Sequence, residues 1–134
     1  INDEGILPLT WWDKKEYSAT AYGTNLLKNI FRTLQTFSYP KSIHAVIDSL
    51  RVIGINNDSI VIDYFAGSGT TGHAVISLNR EDNLNNPGSG KRKYILVEMG
   101  DYFDTVTKPR ISKVVYSEKW KNGKPICNNT GISQ

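Results

Sequence analysis

Sulfur and imidazole are nearly absent from this chain: there is one cysteine, Cys127, and there are two histidines, His44 and His73, far apart in sequence. A lone cysteine cannot close an internal disulfide, and this set of soft ligands is too small and scattered for a zinc cluster; no metal site is expected. Cysteine poverty also fits a reducing compartment, so a cytoplasmic location is expected. Long apolar runs are missing, so no segment reads as membrane-spanning and no membrane partner is expected; no signal-peptide pattern is visible either. The five prolines, Pro8, Pro40, Pro87, Pro109 and Pro125, never stand side by side. Excess charge is slight, at +3, which argues only mildly for a nucleic-acid partner. With 39% hydrophobic and 22% charged residues among 134, the composition is that of one ordinary globular unit with a modest core.

Glycine is present where it can carry chemistry. Asp63-Tyr64-Phe65-Ala66-Gly67-Ser68-Gly69-Thr70-Thr71-Gly72 follows the apolar run Ile60-Val61-Ile62 and precedes a helix-like stretch from His73 to Arg80. An acidic residue at a strand end, a glycine-rich turn and two threonines opening a helix form an arrangement that holds nucleotide-type ligands. Glycines let the backbone approach the ligand, and the helix N-terminus offers free N–H groups. The pattern is not a phosphate-cradling P-loop, since no lysine follows a glycine at the required position. It also departs from the dinucleotide fingerprint, whose third glycine falls elsewhere. Alone, it could be no more than a tight strand-to-helix turn.

The ten-residue string resembles the S-adenosylmethionine (AdoMet) loop of amino-methylating DNA methyltransferases, Asp-x-Phe-x-Gly-Ser-Gly-Thr-Thr. Phe37-Ser38-Tyr39-Pro40-Lys41-Ser42 is similar to the segment preceding that loop in the beta subgroup, whose catalytic motif comes earlier in the chain. Lys93 to Gly100 resembles the family's second strand with its acidic end. Trp11-Trp12, Tyr17 to Thr20, Tyr22 to Leu27, Asp104 to Ile111 and Trp120 to Pro125 are similar to modification subunits of type III restriction–modification systems. The resemblance covers nearly the whole chain, in the family's order.

It implies a partial doubly wound, Rossmann-like α/β fold that binds AdoMet, within an enzyme that methylates adenine N6 in duplex DNA. The partners it implies are double-stranded DNA and the restriction subunit of the same system, with homodimerisation left open. These enzymes grip the target amine with an Asp/Asn-Pro-Pro-Tyr/Phe tetrapeptide, and no Pro-Pro pair occurs here. The chain therefore reads as a C-terminal piece, inactive alone, with no catalytic residue of its own. Cytosine-N4 specificity, or one subunit of a split enzyme, are the alternatives. Residues 1–36 are expected to be the tail of the recognition or linker region, and residues 37–134 the AdoMet-binding part.

Periodicity suggests a helix near Thr24 to Leu34 and another from Ser42, with Ile43, Val46, Ile47 and Leu50 inward and Gly54 as its stop. Then follow strand Ser59–Phe65, helix Thr70–Arg80, an exposed and mobile connection Glu81–Arg92, and strand Lys93–Glu98. A helix should begin near Asp101, with Pro109 in the first turn of a new or kinked segment and Ile111, Val114 and Val115 buried. Asn122-Gly123 marks a turn of a terminal hairpin. Strand–helix–strand order implies parallel strands, too few here for a complete sheet.

For the ligand, the N–H groups of Gly67, Ser68, Gly69, Thr70 and Thr71 suit a carboxylate at a helix N-terminus. The two threonines either add hydroxyl donors or cap the helix. Asp63 would take the amino group, or else cap its own loop. Phe65 is expected to pack in the core with its carbonyl toward the ligand. Glu98 would hold the ribose diol. Phe37, Tyr39 and Lys41 would line the pocket as the resemblance implies. Arg110, Lys108 and Lys113 read either as DNA-phosphate contacts or as a solvated helix face. His44 and His73 are expected to have no chemical role, and Trp11, Trp12 and Trp120 to pack.

Overall fold

The computed structural model describes residues 12–32 and 37–126. Trp11, Cys127 and the end of the first expected helix lie outside them. A short 3₁₀ turn (Lys15–Tyr17) and a wide π-type turn (Thr20–Thr24) lead into α1, Asn25–Phe31. Arg32, at φ +67°, ends α1, so this helix stops three residues before the expected Leu34. α2 spans Ile43–Val52, and Gly54 (φ +76°) turns the chain beyond it. β1 (Ile60–Asp63) leads through the glycine loop to α3, Thr70–Asn85, and then to β2, Lys93–Leu96. A second wide turn, Phe103–Thr107, opens into α4, Lys108–Tyr116, and the chain closes in the hairpin of β3 (Trp120–Lys121) and β4 (Lys124–Pro125). Pro109 sits in the first turn of α4, where a missing N–H costs nothing; the wide turn before it is where the helix path adjusts.

β1 and β2 are parallel and in register from Ile60↔Lys93 to Asp63↔Leu96. The ladder continues past both strands, Val97 N–H donating to Asp63 O and Ala66 N–H to Val97 O. Alternation divides the strand residues between two faces. Val61 and Tyr94 pack on a core of Ile43, Ile47 and Leu50 from α2 with Ala74, Val75 and Leu78 from α3. Ile60, Ile62, Ile95 and Val97 are exposed. Parallel sheets are ordinarily covered on both faces, so this is an α/β arrangement with one helical layer in place.

Residues 12–32 belong to the packed body. Leu27 and Ile30 of α1 are almost fully buried, and α1 contacts α4, β3 and β4. The hairpin turn, with Asn122 and Gly123 both at positive φ, has the type I′ pattern that Asn-Gly favours. Gly123 N–H donates to Asn29 O at 2.7 Å, supplying a donor to the C-terminal end of α1.

Two expectations are corrected. The connection after Arg80 begins with another turn of helix to Asn85, and the rest is tied down. Asn79 bonds both the N–H and the carbonyl of Arg92, Asp82 pairs with the Arg92 guanidinium, and Asn83 accepts from Gly88 N–H. On α4, Val114 is buried but Val115 is 59% exposed and Ile111 only half-buried; the fully buried residue beside them is Arg110. Trp120 is half-buried with its indole N–H on Ser117 O, whereas Trp12 is 39% exposed beside Tyr17. His44 meets Tyr22 edge-on.

Candidate functional site

The parallel pairing places the ends of β1 and β2, and therefore Asp63 and Glu98, at the same edge of the sheet. Between them runs the loop from Tyr64 to Gly69. Gly67 (φ +54°) and Gly69 (φ +81°) both adopt left-handed backbone that side chains disfavour. A Cβ on Gly67 would meet the Phe37 ring at 3.4 Å, and one on Gly69 would meet Thr107 Cγ2 at 3.3 Å. The loop is thus pressed between the segment starting at Phe37 and the wide turn before α4. Thr107 fixes it further, its hydroxyl donating to Gly67 O at 2.6 Å.

Gly72 does for α3 what the loop glycines do for the turn. A Cβ there would lie 2.8 Å from Ile111 Cδ1 and 3.0 Å from Leu96 Cδ1. Only glycine lets the first turn of α3 come this close to both α4 and β2.

Asp63 braces the loop. Its Oδ1 accepts from Phe65 N–H at 3.1 Å and its Oδ2 from the Thr71 hydroxyl at 2.6 Å. Glu98 gathers more donors: Gly67 N–H on Oε2 at 2.8 Å, and Met99 and Gly100 N–H on Oε1 at 2.9 Å each. The Gly100 and Gly67 N–H bonds are the main reason the Glu98 carboxyl titrates below its usual range, and Glu98 in turn raises the Tyr102 phenol. Three N–H donors leave acceptor capacity on this carboxylate for a further partner. Tyr102 also stacks edge-on against Phe37, 4.9 Å between centroids, and so links the preceding segment to the acidic strand end.

Tyr102 is a site residue that motif reading overlooked. Its signal lies in Gly100, where a Cβ would sit 2.4 Å from the Tyr102 ring. A glycine two residues before an aromatic, just past an acidic strand end, marks where that ring folds back.

Several expected donors have other partners. Gly67 N–H serves Glu98 and Gly69 N–H serves Ala66 O, which leaves the Ser68, Thr70 and Thr71 N–H groups for an anion. Neither threonine caps α3, whose N-terminus has no side-chain cap: Thr71 turns to Asp63 and Thr70 turns inward. Phe65 is 86% exposed, not in the core. Tyr39 is exposed at φ +57° beside the fully buried Pro40, and Lys41 is exposed.

The sharpest correction concerns Arg110, which neither touches solvent nor can reach a DNA phosphate. It is 0% exposed. Its Nη1 donates to Ser68 O (3.2 Å), Ser68 Oγ (2.9 Å) and Thr70 Oγ1 (3.0 Å), and its Nη2 lies 3.2 Å from His73 Nδ1. Arginine has only donors, so His73 Nδ1 accepts and His73 is neutral. Burial, with Arg110 and Arg80 nearby, holds the His73 pKa well below that of a free imidazole. Lys113, named with Arg110, lies over the Trp120 ring at 4.2 Å, and the exposed Lys108 is 3.8 Å from Asp104.

An uncapped helix N-terminus behind two left-handed glycines, flanked by two acidic strand ends, suits a ligand with a carboxylate at one end and hydroxyls further along. AdoMet has those features, and the residues present fit it.

The family described as DNA methylase matches residues 6–108. The chain is 41% identical over 91 residues to the type III restriction-modification enzyme EcoPI Mod subunit of Escherichia phage P1, covering 68% of this chain and 13% of that protein. It is 43% identical over 95 residues to the StyLTI Mod subunit of Salmonella typhimurium, covering 71% and 13%. To the type II methyltransferase M.KpnI of Klebsiella pneumoniae it is 35% identical over 88 residues, covering 66% and 19%. The matched region spans only 13% of the length of the two Mod subunits.

Proposed function

The chain belongs to the DNA methylase family, and from that premise we propose that it is the AdoMet-binding part of a type III modification subunit, a DNA adenine-N6 methyltransferase. The contact that carries this reading is the 2.8 Å hydrogen bond from Gly67 N–H to Glu98, which joins the glycine loop of one parallel strand to the acidic end of the next. In this reading AdoMet, when bound, supplies an electrophilic methyl group on its sulfonium. The N–H groups of Ser68, Thr70 and Thr71 hold its carboxylate, with Gly67 and Gly69 shaping the approach. Asp63 faces the amino group while bracing the loop. Glu98 accepts the ribose hydroxyls with the capacity that its three backbone donors leave. Phe37, Phe65, Tyr39 and Lys41 surround the entrance.

The bare apolar face of the sheet, Ile60, Ile62, Ile95 and Val97, seats the second helical layer of a doubly wound domain, supplied by the remainder of the protein. The Pro-Pro tetrapeptide belongs to that remainder, along with the pocket for an adenine flipped from the duplex. A bare face is equally what one subunit of a split enzyme would present to its partner, which keeps that alternative in the test. The whole protein would act in the cytoplasm on double-stranded DNA, alongside a restriction subunit.

The test is methyl transfer from tritiated AdoMet to duplex DNA by the full-length protein, with the labelled nucleoside identified. N6-methyladenine is expected; labelled N4-methylcytosine would overturn the adenine assignment, and absence of AdoMet binding would overturn the reading altogether. The 134-residue chain alone should transfer nothing, and turnover by it would show that the reading of which motifs are missing is wrong.

A further inference from the structure

Beneath the glycine loop, on the side away from solvent, lies a cation with no counter-ion among the described residues. Arg110 is completely buried, no carboxylate pairs with it among the described residues, and its Nε has no acceptor there. Burying a charge without a partner of opposite sign is costly. The groups that Arg110 does bond are all in the loop and the first turn of α3: Ser68 O, Ser68 Oγ, Thr70 Oγ1 and His73 Nδ1. Two of these residues, Ser68 and Thr70, also carry N–H donors left free at the start of α3, beside that of Thr71.

Arg110 engages every side-chain oxygen that Ser68 and Thr70 have, and the Ser68 carbonyl as well, drawing these acceptors inward. Its charge lies directly behind an uncapped helix N-terminus, already the positive end of the peptide dipole. In a water-poor interior such a charge is screened little. Burial lowers the pKa of the Arg110 guanidinium to about 9, and an anion in front of the loop would favour its charged form.

We propose that Arg110 is a positioning residue for the carboxylate end of the cofactor. It holds the Ser68–Thr70 turn in its receiving shape and supplies positive potential through the loop, without touching the ligand. This inference rests on the AdoMet reading and adds a residue to it that neither motif nor exposure would nominate.

The experiment compares two ligands on the full-length enzyme by calorimetry: AdoMet, and 5′-methylthioadenosine, which keeps the nucleoside but has no amino acid end. Arg110→Met removes the charge and the fork of donors at similar volume; Arg110→Lys keeps the charge and loses the fork. Arg110→Met should weaken AdoMet at least about 10-fold while leaving methylthioadenosine within about 2-fold, and Arg110→Lys should fall between Arg110→Met and wild type for AdoMet. Equal weakening of both ligands would reduce Arg110 to a fold-stabilising residue and overturn the proposal, as would unchanged AdoMet affinity. Should Arg110→Met not fold, the Arg110→Lys comparison of the two ligands decides by the same criterion. Wild-type enzyme that binds methylthioadenosine and AdoMet equally would also overturn it. Wild-type enzyme that binds neither would instead refute the cofactor reading on which it stands.

Discussion

Asp63 offers the most discriminating substitution, because its two oxygens have separate partners. Oδ2 takes the Thr71 hydroxyl at 2.6 Å and Oδ1 takes Phe65 N–H at 3.1 Å. A hydrogen bond to a charged group contributes about 1.5–3 kcal/mol, and the short bond to Thr71 accounts for the larger share. Phe65 is on the surface, so its N–H can turn to water at little cost. Asp63→Ala should therefore weaken AdoMet binding by about 1–3 kcal/mol, roughly 5- to 150-fold. If the residue acts by bracing the loop, Thr71→Val should produce a similar loss, and the double variant little more than either. Titration calorimetry of the four proteins in the cycle measures this, with a coupling of about 1–2 kcal/mol expected for groups in direct contact. Effects that add to within about 0.5 kcal/mol would refute the brace and leave Asp63 acting on the ligand directly. Unchanged affinity in Asp63→Ala, with folding intact, would remove it from the site.

Two further outcomes are expected. Gly23 faces the backbone of the segment before the loop: a Cβ there would lie 2.3 Å from Pro40 O and 3.1 Å from Lys41 O. Those atoms cannot rotate away, so Gly23→Ala should cost about 1–3 kcal/mol as overpacking, seen as a lower urea midpoint; an unchanged midpoint would refute the tight contact. His73 makes stability pH-dependent: folded His73 has a lowered pKa, so the unfolded chain takes up a proton that the folded chain refuses. Its contribution is complete above about pH 6.5 and declines as pH falls below that, by up to ~1.4 kcal/mol per pH unit. Urea melts of wild type and His73→Asn between pH 7.5 and 5 should diverge toward acid, and parallel curves would sink the assignment.

Local chemistry alone determined the turn at Gly67 and Gly69, the Asn122-Gly123 hairpin, the stop of α2 at Gly54 and the strand preceding Asp63. Each is written in residues whose conformational preference is strong and acts within a few positions. The last turn of α3 was hidden because its residues are polar. It is held by the Arg51–Glu81 ion pair (2.7 Å) and by Asn79, Asp82 and Asn83 bonding to Arg92 and Gly88 of the connection beyond, partners that periodicity cannot see. α1 ends early for a related reason: the hairpin, about ninety residues later, docks on its last turn.

Asp63 and Glu98 were legible as candidate site residues because the end of a parallel strand is a fixed address. What each carboxylate holds was not, since Glu98 reaches back across the sheet edge to Gly67 of the loop and both acids bond within their own turns. Arg110 shows the limit most plainly. In sequence it stands between Lys108 and Lys113 and looks like one charge of a basic surface. Only the packing of α4 beneath the glycine loop turns it inward, where hydroxyls, a carbonyl and a neutral imidazole take the place of water. Charge patterning records that a cation is present, but which side of a helix meets solvent is decided by the rest of the chain.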